Sequence, residues 1–161
     1  MNRLLRSGLI AALVFAFGAS AALAQSSEAP SAVGMWRTID DKTGNPRSIV
    51  KIYKENGALH GRVVEILQVG DDAERNSAGK VICTECEGNK KGQPIEGMVV
   101  LEGLEKNGDE WSGGTILDPS NGKQYKAKLE LDGDDRLDVR GYIGVSLFGR
   151  TQTWQRVTQR K

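Results

Sequence analysis

Lys123-Gln124-Tyr125-Lys126-Ala127-Lys128-Leu129-Glu130-Leu131 decides how the rest of the chain is read. Tyr125, Ala127, Leu129 and Leu131 fall on one side of an extended backbone, and Lys126, Lys128 and Glu130 on the other. Such a segment is a strand with one face on a core and one in water. Less regular runs of the same kind lie at Val33–Ile39, Arg47–Tyr53, Ala58–Val69, Ile95–Leu104, Glu110–Leu117, Arg136–Tyr142 and Arg150–Val157, making eight. The intervals hold turn chemistry: Asp41 to Pro46, Asn56-Gly57, Asn107-Gly108, Asp118-Pro119-Ser120-Asn121-Gly122 and Asp132-Gly133. These residues accept positive φ or preset a turn, so neighbouring strands are joined as antiparallel hairpins. From Val33 onward no stretch of about ten residues carries a helical apolar stripe. The expected fold is therefore all-β: an eight-stranded antiparallel up-and-down β-barrel, which leaves no exposed edge. A two-sheet sandwich is the alternative. Gly61, Gly97, Gly103, Gly113, Gly114 and Gly141, inside strand patterns, suit bends in a curved sheet.

The amino terminus reads differently. Arg3 and Arg6 precede an uncharged apolar run, Leu9 to Leu23, and Ala22-Leu23-Ala24 supplies the small-x-small pattern of signal peptidase. Residues 1–24 are thus expected to be a cleaved signal peptide, and the protein periplasmic or secreted. An uncleaved anchor is the alternative, but the run is short and rich in Ala and Gly for a span of roughly 20 apolar residues. Residues 25–32 read as a flexible lead-in and 33–158 as one barrel domain. Cleavage removes two arginines and no acid, which leaves 137 residues with 20 basic and 21 acidic side chains, net −1. That balance argues against a nucleic-acid partner. No membrane span is expected after cleavage.

One segment breaks the rhythm. Gly70 to Pro94 runs without a clear element and contains both cysteines, Cys83-Thr84-Glu85-Cys86. A zinc site would need about four ligands, and neither a second cysteine pair nor more than one histidine, His60, is present. A redox pair at a helix start would need a depressed thiol pKa, which Glu85 and Glu87 oppose. The plain reading is a disulfide formed in an oxidising compartment, closing a small ring and holding the tip of the loop.

Catalytic constellations are thin. There is no G-x-S-x-G, no H-E-x-x-H and no phosphate-binding Gly-rich loop. The acids at Asp40-Asp41, Asp71-Asp72 and Asp132 to Asp135 fall at turns and lack a calcium loop's ligand spacing. No enzyme activity, metal or cofactor is expected.

Gly34-Met35-Trp36 on the first strand and Trp154-Gln155-Arg156 on the last resemble the lipocalin/calycin pattern. In that family the Trp plugs the barrel end and the Arg stacks over it, so the resemblance implies barrel closure by Gly34, Trp36 and Arg156. Gly114-Thr115-Ile116-Leu117-Asp118-Pro119, Asn121-Gly122-Lys123, Arg140-Gly141-Tyr142-Ile143-Gly144, Leu147-Phe148-Gly149-Arg150 and Trp154 add to it. Together with the leader and central cysteine pair they resemble a family of small secreted Gram-negative bacterial proteins catalogued as a domain of unknown function. This resemblance implies a calycin-like barrel and no established activity.

A barrel of eight strands holds its own side chains or one small ligand. The expectation is a binder of a small apolar or amphipathic molecule, lined or closed by Trp36, Trp111, Tyr125 and Trp154, with Arg140 and Tyr142 as further candidates. Arg140 faces opposite Val139. It lies outside if Leu137, Val139 and Gly141 face inward; in the reverse register it becomes a buried cation needing an anionic partner. The alternative function is a filled barrel that serves as a structural component or docks an envelope protein through residues 70–94. The small Ala127 and the aromatic content of 6% suit that alternative.

Overall fold

A computed structural model describes residues 31–158. The expected signal peptide, and all of the lead-in before Ser31, lie outside the described residues. Eight strands follow in order: β1 Gly34–Ile39, β2 Pro46–Glu55, β3 Ala58–Ile66, β4 Val99–Asn107, β5 Glu110–Asp118, β6 Lys123–Asp132, β7 Arg136–Tyr142 and β8 Gly149–Arg156. Each pairs antiparallel with its sequence neighbours, and β1 pairs with β8, so the sheet closes as an up-and-down barrel. The eight-stranded barrel read from alternation is the one observed, and the sandwich is excluded.

Turn chemistry accounts for the meander. Asn56 and Gly57 both take positive φ, 50° and 88°, the combination a two-residue hairpin needs to match strand twist. In the β1–β2 turn Asp40 Oδ1 accepts the backbone N–H groups of Lys42 and Thr43 at 2.9 Å each. Those bonds, Thr43's foremost, hold the Asp40 carboxyl below its ordinary pKa, with a smaller contribution from Arg47. In the β5–β6 turn Asp118 accepts from Ser120 N–H at 3.0 Å and from the Asn121 amide at 3.1 Å.

The closing seam is short. Only Trp36↔Arg156 and Arg37↔Gln155 are in register across β1 and β8, and Val157 N–H donates to Met35 at 2.8 Å just beyond them. Cross-strand partners share a face, so the register defines the interior. Trp36, Val50, Ile52, Leu59, Leu101, Leu129, Leu137, Val139 and Trp154 point inward and are buried. Gly114 is required by close approach: a Cβ there would collide with the Glu102 carbonyl oxygen of β4.

The long β3–β4 connection differs from its sequence reading. It is internally bonded: Cys83 N–H donates to Gln93, Gly92 N–H to Cys83 and Ile95 N–H to Val81, at 2.8–3.0 Å. A single 3-10 turn, Gly88–Lys90, interrupts it. Cys83 and Cys86 are joined as a disulfide, with Cα atoms 5.4 Å apart, and both are buried. The pair does not hold a loose loop tip; it belongs to the core cluster. The reason is packing on the outer wall. Val100 and Leu117 each neighbour an inward residue, Leu101 and Ile116, so they face outward, yet both are buried. The segment 67–98 covers them, and Lys90 ties it to outward Glu102 at 2.7 Å and to the Val99 carbonyl at 3.1 Å. The Cys83 sulfur rests 3.4 Å from the Pro119 carbonyl oxygen of the β5–β6 turn.

Candidate functional site

The two barrel ends are built differently. At the end holding the N-terminal segment and the β2–β3, β4–β5 and β6–β7 turns, Trp36 is fully buried and its indole N–H donates to Ala32 at 2.8 Å. The Arg156 guanidinium carbon lies 4.2 Å from the Trp36 ring centroid. The same guanidinium donates to the carbonyls of Ser31 (2.8 Å), Val33 (3.2 Å) and Asp134. Gly34 is the residue beneath it, where a Cβ would sit 2.8 Å from Arg156 Nη1. Ser31 and Ala32, read from sequence as the end of a flexible lead-in, are therefore tied to this seal, because they offer carbonyls to Trp36 and Arg156. A second cation, Lys106, places its ammonium 3.7 Å from the Trp111 ring centroid. Sequence reading overlooked Lys106, although it is the cross-strand partner of Trp111 over the Asn107-Gly108 hairpin.

At the opposite end inward positions open to solvent. Along β8 the series runs from buried Trp154 through half-buried Gln152 to exposed Arg150. Along β6 it runs from buried Leu129 and Ala127 through half-buried Tyr125, and along β7 from Val139 to Gly141. An inward side chain of a closed barrel meets water only through the mouth, so these gradients describe a cup. Along β8 four residues of strand, about 13 Å, separate Arg150 at its rim from Trp154 at its floor, with Gln152 midway. Thr38 and Ser48 share a hydrogen bond of 2.8 Å on the β1–β2 side. Asp41 reaches across to accept from Gln152 at 3.2 Å and to pair with Arg150. The Tyr125 hydroxyl accepts from the Asn121 amide at 3.3 Å. On the floor, the indole N–H of Trp154 is buried and has no hydrogen-bond partner. An orphaned buried donor costs about 1–3 kcal/mol.

The six residues proposed from sequence to hold a ligand do not converge. Trp36 and Trp111 seal the closed end, Trp154 is a floor residue and Tyr125 is at the cup. Arg140 and Tyr142 lie outside the barrel, because inward Leu137, Val139 and Gly141 alternate with them. Arg140 donates to the carbonyls of Ser146 (2.7 Å) and Leu147 (3.1 Å) and to Thr151 Oγ1 (2.8 Å). It is neither a buried cation nor a cup residue. It lines an outer groove of about 390 Å³ with Lys128, Glu130, Asp138, Ser146, Leu147 and Thr151. There Lys128 donates to Glu110 at 2.8 Å, a bond that raises the lysine pKa. Gln152 and Arg150 are the cup residues sequence reading missed, and counting back by twos from Trp154 finds both.

Other candidates are occupied locally. His60 stacks on Tyr53 at 5.9 Å between centroids, and both cysteines are consumed in the disulfide. Among the described residues no group of three or more His, Cys, Asp or Glu side chains converges as for a metal. Among them, too, no helix is long and apolar enough to cross a membrane.

Comparison with known proteins places this architecture. Protein HP1028 of Helicobacter pylori, described as belonging to the lipocalin family, is similar in fold, with a TM-score of 0.67 and 18% sequence identity. The match covers 81% of this chain and 86% of that one. A search of curated proteins returns no match. Residues 34–156, from the glycine under the seal to the arginine that forms it, match the family described as "Uncharacterized protein conserved in bacteria (DUF2147)". The chain is thus a member of that bacterial family, with a lipocalin-like barrel.

Proposed function

We propose that the protein is an exported, non-catalytic carrier that takes one small amphipathic molecule into the cup at its open end. The observation that carries this reading is the Trp154 indole N–H at the floor, the one buried side-chain N or O among the described residues without a hydrogen-bond partner. An acceptor on a ligand would relieve that donor. That acceptor would lie at the floor, the apolar part of the ligand would rest on Ala127, Val139 and Ile116 above it, and a second polar group would face Gln152, Thr38, Ser48 and the Asp41–Arg150 pair at the mouth. The lipocalin likeness supports binding of this general kind, since barrels of eight strands have room for one small ligand. Export rests on the arginine-flanked apolar leader, and a disulfide is the expected state of the cysteines in an oxidising compartment.

The test is a titration of tryptophan fluorescence with hexanoate and monohexanoylglycerol, short enough for the cup, read alongside native mass spectrometry. One saturable site is expected. Trp154→Phe, which keeps the ring and removes the donor, should weaken it about 5- to 10-fold. Loss of the orphaned donor should leave Tm equal or higher. Absence of any saturable ligand overturns the reading.

The filled barrel remains the second reading, favoured by one observation: below the cup the interior is closed by Trp36, Leu101, Leu104, Leu129 and Leu137, all fully buried. A high-resolution structure with ordered side chains or a water bound to Trp154 Nε1, and no ligand-sized volume, would select it.

A further inference from the structure

The β7–β8 connection, residues 143–148, carries four large apolar side chains turned to solvent: Ile143 (70% exposed), Val145 (59%), Leu147 (78%) and Phe148 (75%). Exposed apolar residues are ordinary when scattered; four within six residues at one hairpin tip are not. They are also held in place. Arg140 folds back along the outer face and binds the Ser146 and Leu147 carbonyls, and Phe148 N–H donates to Val145 at 3.2 Å. The loop is thus braced with its apolar side chains outward rather than collapsed over them.

Its charge surroundings are one-sided. From Val139 to Thr158 there is no Asp or Glu; Arg140 and Arg150 fall in that stretch at this end of the barrel, while Arg156 belongs to the seal at the other. Exposed Lys126 stands beside Tyr142 in the β6–β7 register, at the base of the loop. Asp41 pairs with Arg150, and Glu130 and Asp138 lie on the same outer face further from the tip. An apolar tip flanked by Lys126 and Arg140 fits a surface with an apolar interior and anionic head groups.

We propose that the β7–β8 loop docks the barrel onto an anionic lipid surface, with Ile143, Val145, Leu147 and Phe148 entering the head-group region and Lys126 and Arg140 facing the phosphates. The loop rims the cup, so docking turns the open end toward the lipid. The docking surface does not depend on whether the cup holds a ligand, and the two readings fail separately.

The experiment uses the chain from Gln25 onward, which contains every strand of the closed barrel and its Ser31–Arg156 ties. Flotation with vesicles of phosphatidylcholine alone and with 30% phosphatidylglycerol, roughly the anionic share that gives a strong surface potential, measures partitioning. The expected result is binding to the anionic vesicles at least fivefold above neutral ones, reduced at least fivefold by high salt. The triple change Ile143→Ser, Leu147→Ser, Phe148→Ser should lower it at least tenfold. These side chains contact solvent, so Tm and cup binding should be unchanged. Phe148→Trp should give a blue shift on the anionic vesicles alone. Equal partitioning of wild type and triple variant, or none by the wild type, overturns the proposal. So does a concentration-dependent dimer that the triple variant abolishes, since the loop's occupant would then be a second copy.

Discussion

Replacing Arg156 with alanine tests the seal of the barrel most directly. The side chain contributes a cation–π contact at 4.2 Å to Trp36 and three hydrogen bonds from its guanidinium to backbone carbonyls of Ser31, Val33 and Asp134. A half-exposed cation–π contact is worth about 0.5–1 kcal/mol. Hydrogen bonds at a solvated rim contribute about 0.5–1 kcal/mol each. The sum is about 2–4 kcal/mol. For a domain of this size that is a fall in Tm of about 7–15 °C. Arg156→Lys keeps the charge but not the planar fork, and should recover less than half of the loss. Three of the four contacts are to neutral carbonyls, so the difference should change little between low and high salt, unlike that of an ion pair. Thermal unfolding followed by far-UV circular dichroism reads all of this. If both variants melt within about 2 °C of wild type, the seam is held by Val157–Met35 backbone pairing and core packing alone, and the reasoning is refuted.

Three other outcomes follow from the geometry. Gly122→Ala should lower stability by about 2 kcal/mol or more, measured by urea unfolding, because φ is +68° and a Cβ collides with the Glu85 carbonyl. Cys83→Ala with Cys86→Ala should cost about 2 kcal/mol in the same assay, since a ring closed over so few residues removes little unfolded-chain entropy; the barrel should still form. Asp40 has a folded pKa below its unfolded value, so its contribution is present above about pH 4 and is lost as pH falls through the lower, folded pKa. Asp40→Asn should therefore flatten the fall in Tm measured from pH 5 down to pH 2, and an unchanged slope would count against the role of the turn.

Much of the architecture was legible because strand periodicity and turn chemistry are local. Lys123–Leu131 alternates cleanly since one face meets the core and the other water. Asn56-Gly57 turns because few other residues accept two successive positive φ values. The onset of β4 was misjudged, at Ile95 instead of Val99. Ile95 is apolar for another reason: it belongs to the covering segment and packs against the core cluster, with its N–H donating to Val81. The site was less legible. Arg140 and Tyr142 resembled ligand contacts because charged and aromatic residues on a late strand attract attention, and only the register puts them outside. Arg150 and Gln152 drew none, although they rim the cup.

What the sequence by itself determined is the number of strands and their antiparallel order, which depend on contacts between chain neighbours; that Gly34, Trp36 and Arg156 meet where first and last strands close was implied by the resemblance to the lipocalin/calycin pattern. The tertiary structure alone decided which face of β7 lies inside, where the disulfide packs and how far the interior is filled. Alternation says which side chains share a face, but burial depends on what covers that face. For Arg140 only the β7–β8 loop does, through the Ser146 and Leu147 carbonyls. For Cys83 and Cys86 the outer wall at Val100 and Leu117 provides a second apolar surface that no local pattern announces.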